Sequence, residues 1–334
     1  MPYLGYGTPQ RLTLCGRVLE DEGIRPAAAT DSRWRNLFSF YERIESDEVP
    51  HARVRASFLG KQVECVADKE GYFSVSLNTR GRLGPGLWQE VALELVDPPA
   101  GVRATGHVLV PSTRAKFGVI SDIDDTVVYS NVTHRLRMVL TAVLSNARTR
   151  KPFKGVAAFY RALHAGANPV FYVSKSPWNL YAPLVEFLEV QDIPCGPLIL
   201  RDFGSGHGAE HKRKSIARIL ATYPKLEFVL IGDSGERDPE IYSEVVRAHP
   251  ERIRVIYIRS VTQDPKRIVA IEKLIAQVRR TGCQLVLAPD SEFAAAHAAG
   301  EGLIQASRLR AVRADKLADE KSPSNPAASS GALK

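Results

Sequence analysis

Two rhythms of apolar positions run along the chain, and the change from one to the other near Pro111 divides it. Residues 11–19, 51–59, 62–67, 73–77, 88–96 and 106–110 alternate apolar with polar residues or carry β-branched ones. Turn formers such as Leu59-Gly60-Lys61 and Asp68-Lys69-Glu70-Gly71 separate them. Short strands repeating every ten or so residues predict an antiparallel β-sandwich over 1–112. A polar insertion at 21–48 interrupts it, with Trp34, Phe38, Phe40 and Tyr41 available to pack a short helix. No catalytic cluster stands out in this half.

Beyond Pro111 compact apolar strand cores at 170–173, 198–200, 228–231, 255–258 and 285–287 alternate with helical periodicity at 156–164, 180–190, 212–222, 239–248 and 266–280. Such alternation predicts an α/β domain over 113–305, a parallel sheet with helices on both faces. Residues 306–334 read as a basic stretch and then, from about Lys316, a polar tail too poor in apolar residues to fold.

The α/β half opens on Phe117-Gly-Val-Ile-Ser-Asp-Ile-Asp-Asp-Thr126, an apolar strand that delivers carboxylates. Residues 121–126 cannot stay unpaired in a dry core, so the chain leaves the sheet near Asp122. Ligands of open α/β sheets bind at the carboxyl ends of the strands, where Asp122 and Asp124 would face one crevice. Two crowded carboxylates need a cation or a shared proton. In phosphoryl transfer Asp122 would be the nucleophile, Asp124 the acid and base, and a magnesium ion the bridge between them. An acidic turn, or a helix capped by Asp124 or Asp125, reads equally well from this stretch alone.

Further polar groups follow at equivalent ends of elements. The second strand runs into Ser174-Lys175-Ser-Pro, a hydroxyl and a cation suited to a phosphate oxygen, or simply a Ser-Pro turn. Lys212 is expected to open a helix whose apolar positions are Ile216, Ile219 and Leu220. A cation is disfavoured at a helix N-terminus, so pairing with a phosphate and a carboxylate would account for it. The fourth strand delivers Gly232-Asp-Ser-Gly-Glu-Arg-Asp238, in which Asp233 would complete a metal site and Asp238 would orient Lys212 or a metal-bound water.

Asp122-Ile-Asp-Asp-Thr126, Ser174, Lys212 and Gly232-Asp233 through Asp238 resemble the four motifs of the haloacid dehalogenase superfamily. Within it, Ser121-Asp-Ile-Asp-Asp-Thr-Val127, Tyr172-Val-Ser-Lys-Ser-Pro-Trp-Asn179, His211-Lys212 and Ile231-Gly-Asp-Ser-Gly-Glu-Arg-Asp-Pro-Glu-Ile-Tyr242 are similar to the phosphatidate phosphatase family of the yeast actin patch protein type. The resemblance covers 113–283. It implies a Rossmann-like superfamily sheet and magnesium-dependent conversion of phosphatidic acid to diacylglycerol through an aspartyl phosphate. Carried over by motif, Asp122, Asp124, Ser174 and Lys212 are catalytic, with Ser174 and Lys212 as phosphate ligands, and Asp122, Asp124 and Asp233 hold Mg2+; Thr126 and Lys175 are further candidates for binding the substrate. Superfamily members close over small substrates with a cap inserted at 127–173 or 175–211. Both gaps are short here, and an open site suits a large or membrane-held phosphate.

Composition adds little to this. A net charge of +8 permits attraction to anionic lipid, nucleic acid or phosphorylated substrates, and equally describes a soluble surface. Cys15, Cys65, Cys195 and Cys283 show no metal spacing, which fits reduced thiols and a cytoplasmic location. Neither a leader peptide nor a spanning apolar run is expected. The stripe Leu136, Val139, Leu140, Val143, Leu144 and Ala147, flanked by Arg135, Arg137, Arg148, Arg150, Lys151 and Lys154, reads as an interfacial helix or as one packed on the core. Glycine-rich 203–208, with His207, reads as a substrate loop or as a turn. The leading expectation is a phosphatase acting on phospholipid from the membrane surface, with no nucleic-acid partner. Its rivals are the same chemistry on a protein, nucleic acid or soluble phosphate, and a catalytically silent chain whose β domain binds a protein partner.

Overall fold

A computed structural model describes residues 1–20, 48–79, 83–84, 86–97, 101–123, 155–201, 208–262 and 264–321. Residues 21–47 of the insertion, the stripe at 136–147 and the end of the tail lie outside them. Among the described residues seven strands precede Pro111: β1 Gly5–Thr8, β2 Arg11–Arg17, β3 Arg53–Phe58, β4 Lys61–Val66, β5 Tyr72–Asn78, β6 Trp88–Leu95 and β7 Arg103–Leu109. They form one sheet in the order β4-β3-β6-β7-β1-β2-β5. Although β4 and β5 end that order, they contact each other, so the sheet curls round on itself. Its inner face is the alternate set Leu12, Leu14, Val54, Ala56, Val75, Leu77, Val91, Leu93 and Val108.

Two features differ from the expected antiparallel sandwich. A single curled sheet replaces two stacked ones, and β1 pairs in parallel with β7. Alternation reports only that one face is buried, which a curled sheet and a sandwich share. The four residues of β1, Gly-Tyr-Gly-Thr, carry no period of their own.

The second sheet is parallel throughout. Its strands are β8 Gly118–Asp122, β9 Val170–Pro177, β10 Leu198–Arg201, β11 Phe228–Asp233, β12 Ile253–Arg259 and β13 Gln284–Ala288, ordered β10-β9-β8-β11-β12-β13. The described helices are α1 Val156–His164, α2 Tyr181–Val190, α3 Gly208–Thr222, α4 Asp238–Ala248, α5 Pro265–Arg279, α6 Ser291–Gly300 and α7 Leu309–Lys321. Buried residues of α1, α2, α6 and α7 share one core with Val119 and Tyr172. Those of α3, α4 and α5 share another with Ile120 and Phe171, on the opposite face. Every residue of β8 and β11 is buried, as a sheet covered on both sides requires. The chain winds outward from β8 through β9 to β10, then returns to place β11 on the other side of β8. That reversal opens a crevice between the carboxyl ends of β8 and β11.

The N-terminus locks the two sheets together. Tyr3 belongs to the second domain's core and stacks on Trp178 at 5.0 Å. The Leu4 amide donates to the Tyr181 hydroxyl (2.5 Å), and Tyr6 meets Phe171 edge-on. Among the described residues no helix is long and apolar enough to cross a membrane.

Residues 306–321, expected as a basic and then disordered tail, are ordered. A short 3-10 turn leads into α7, which docks on α1 and α6. Val312 is fully buried, and Leu309 packs against the same core. Lys316 reaches both Asp290 (2.7 Å) and Glu292 (3.1 Å), while Asp315 accepts from the Ala158 amide at the uncapped start of α1. One apolar row, supported by charges that have partners, outweighs a composition that reads as unfolded. Val312→Ala should therefore lower unfolding free energy by about 2 kcal/mol in denaturant titrations. An unchanged midpoint would show that α7 contributes nothing to the core.

Candidate active site

The crevice is built from the last residue of each central strand and the first residue of a helix. Asp122 ends β8, Asp233 ends β11 and Asp238 begins α4, and all three are fully buried. One carboxylate oxygen from each lies within 4.8 Å of the other two. Lys212 enters from α3 with no exposed surface and donates to Asp122 Oδ1 (2.9 Å) and Asp238 Oδ1 (2.5 Å). The helix starts at Gly208, so Lys212 stands in its second turn rather than opening it. Carboxylates, not proximity to the helix terminus, account for the cation.

Local turns hold this arrangement. Asp233 Oδ1 accepts from the amides of Gly235 (2.6 Å) and Glu236 (3.0 Å), and the Asp233 amide donates to Asp238 Oδ2 (3.3 Å). A Cβ on Gly232 would lie 2.3 Å from Asp238 Oδ2, so the close approach of Asp238 requires glycine there. Behind β8, Ser121 Oγ donates to the Asp122 carbonyl, leaving the Tyr160 hydroxyl to donate to Ser121 (2.6 Å each).

The β8–β9 register pairs Asp122 with Val173, which puts Ser174 one residue beyond Asp122's partner. Ser174 is buried and its Oγ accepts from the Ser176 amide (2.8 Å). Next to it, Lys175 is partly exposed and pairs with Glu236 Oε2 at 2.5 Å. The same oxygen is 3.5 Å from Lys212 Nζ. Asp124 and Thr126, assigned to catalysis and phosphate binding from the sequence, lie outside the described residues, as do Asp125 and His207. Of the expected metal ligands, Asp122 and Asp233 come together, with Asp238 beside them.

Two participants escaped sequence reading. Glu236 sits inside the quoted Gly232–Asp238 stretch, but nothing in the string shows that it reaches two lysines. Arg267, far along in α5, donates to the carbonyls of Ser234 (2.9 Å) and Glu236 (2.5 Å) and pairs with Glu240, bracing the turn after β11. A lone arginine on an amphipathic helix gives no sign of that role.

Charge decides what the crevice can hold. Burial alone would depress Lys212, but Asp122 and Asp238 raise its pKa well above the ordinary value, so it is an ammonium. For Asp238, burial pushes the carboxyl up, with Lys212 opposing. Burial also pushes Glu236 up, but Lys212 and Lys175 outweigh it and leave that carboxyl below its usual range. Asp122, Asp233, Asp238 and Glu236 outnumber the two lysines among them. Hard oxygen donors this close together suit a magnesium-sized cation.

Residues 117–260 match a family model described as the catalytic domain of Phosphatidate phosphatase APP1. Phosphatidate phosphatase APP1 of Saccharomyces cerevisiae is 35% identical over 151 residues, covering 43% of this chain and 26% of that protein. An uncharacterized protein of Schizosaccharomyces pombe is 34% identical over 158 residues, covering 45% and 26%. The chain thus spans 26% of the length of each of these relatives. Among solved structures, a carbohydrate acetylesterase from Xanthomonas citri aligns over 77% of this chain and 68% of its own, at 12% identity and a TM-score of 0.30, too low to support an argument.

Gly232→Ala should cost about 1–3 kcal/mol, because the new methyl pushes Asp238 from Lys212. Gly300→Ala, where nothing lies within 4 Å, is the matched control and should cost nothing. Equal denaturation midpoints for the two variants would contradict the close approach.

Proposed function

We propose, from the match of residues 117–260 to the phosphatidate phosphatase catalytic-domain family model, that this chain is a phosphatase hydrolysing a phospholipid monoester, phosphatidic acid to diacylglycerol. One observation supports this most: a buried lysine ammonium shared between the carboxylates of Asp122 and Asp238, at the point where the strand order reverses. In this reading Asp122 attacks phosphorus and forms an acyl phosphate as the diacylglycerol oxygen leaves with a proton. Water then attacks the phosphoryl group, restoring the Asp122 carboxylate and releasing inorganic phosphate. Asp124 gives and takes the protons, a role that rests on its place in the motif.

Lys212 fixes the facing of the Asp122 carboxylate, and Asp238 fixes Lys212. Ser174, Lys175 and Thr126 bind the phosphoryl oxygens together with Lys212. Asp122 and Asp233, with Asp124, would hold Mg2+, which when bound offsets charge between the phosphate and the acids. A lipid phosphate lies in an anionic interface, so the chain, at net charge +8, would meet its substrate peripherally at a cytoplasmic membrane surface.

Phosphate release from phosphatidic acid, lysophosphatidic acid, a phosphopeptide and sugar phosphates, compared in parallel, tests the substrate. Lipid monoesters should be turned over fastest, and a preference for the peptide or the sugar would move the reading to another phosphate. Asp122→Asn should abolish turnover in a chain that still folds but melts earlier, because an amide can neither form the acyl phosphate nor neutralise Lys212. Turnover near the parent rate in that variant would exclude Asp122 as nucleophile. Chelator should remove activity and magnesium restore it, with Asp233→Asn raising the magnesium needed by roughly tenfold or more. Calcium should inhibit, since its looser and larger coordination disturbs in-line geometry. Full turnover in excess chelator would exclude the metal role.

A further inference from the structure

Glu236 is the acid in the crevice for which the proposed chemistry has no use. Its backbone is fixed on both sides, the amide donating to Asp233 and the carbonyl accepting from Arg267. From that anchored position the side chain places one oxygen, Oε2, on Lys175 at 2.5 Å and on Lys212 at 3.5 Å. These two cations bind phosphate in the proposed function, and Lys212 also touches the proposed nucleophile Asp122. An anionic oxygen at the Oε2 position therefore occupies a place that a phosphoryl oxygen needs. Lys175 is held there by packing as well, since the start of α3 at Gly208 leaves just enough room for its aliphatic stem, whose Cγ and Cδ lie 3.0 Å from where a Cβ would stand.

We propose that Glu236 is a resident carboxylate in the substrate-phosphate seat, a positioning residue that holds Lys175 in place in the resting site and competes with the incoming phosphate for it. This rests on the phosphatase reading and adds to it a determinant of affinity. The Glu236 side chain is 17% exposed, so it lies at the mouth and can swing out as phosphate enters, which the fully buried Asp238 cannot. Phosphate carries more charge and more oxygens than a carboxylate, so it wins the two lysines at the cost of displacing Glu236. In the resting site Glu236 keeps an acid on Lys175, while Lys212 has Asp122 and Asp238 as well.

The test is the binding of inorganic phosphate, read by calorimetry in magnesium buffer, alongside KM and kcat for a soluble phosphate monoester. Glu236→Gln should tighten phosphate about fivefold, the size expected when one half-buried carboxylate stops competing for a lysine, and should lower KM more than it changes kcat. Glu236→Asp, too short to reach both lysines from the same backbone, should shift affinity in the same direction and keeps the test open if the glutamine variant folds poorly. On a Lys175→Ala background the gain should vanish. Unchanged or weaker phosphate binding in both Glu236 variants would overturn the proposal and leave Glu236 as a fixed bracket for Lys175. A parent chain that binds no phosphate would contradict the phosphatase reading itself, and the seat with it.

Discussion

Lys212 carries a full charge with no exposed surface, and the rest of the site is arranged around that constraint. A desolvated ammonium persists only if carboxylates surround it, and Asp122 at the end of β8, Asp238 at the start of α4 and Glu236 in the turn between β11 and α4 do so. Each of those elements is then fixed in turn. Asp122 must end β8, Asp238 must begin α4, and glycine must stand at 232 to admit Asp238. Breaking such a pair costs roughly 3–5 kcal/mol, so the ion network ties the crevice to the stability of the whole sheet.

Topology supplies the rest. A parallel sheet covered on both faces forces β8 and β11 to be apolar until they leave it, and the residues at which they leave are Asp122 and Asp233. Strand order then sets those two ends side by side. The first domain is joined to the same region, because Tyr3 and Leu4 hold Trp178 and Tyr181, which follow Ser174 and Lys175 along the chain. The N-terminal segment is thereby part of what positions the end of β9 that carries Ser174 and Lys175.

Strand cores and helix faces are readable where each repeats a period: α1 falls on residues 156–164 as expected, and the other expected elements shift by a few residues at their ends, whereas β1, α6 and α7 were not expected. The acids at strand ends were readable because polar residues abruptly succeed an apolar run. What could not be read has physical reasons. Four residues of β1 carry no period, and alternation cannot separate a curled sheet from a sandwich. For α7, a few apolar contacts and partnered charges outweigh composition. Glu236 and Arg267 act through contacts distant in sequence, which no local pattern reports.

The proposed chemistry turns on Asp122 as the residue that takes the phosphoryl group while Lys212 holds it in place. Acid quenching of the chain during turnover of phosphatidic acid labelled in its phosphate, followed by peptide mapping, measures that directly. The account predicts label that is released by hydroxylamine and maps to the peptide carrying Asp122. Sustained turnover with no labelled chain under quench conditions that preserve acyl phosphates, or label on any other residue, would contradict it.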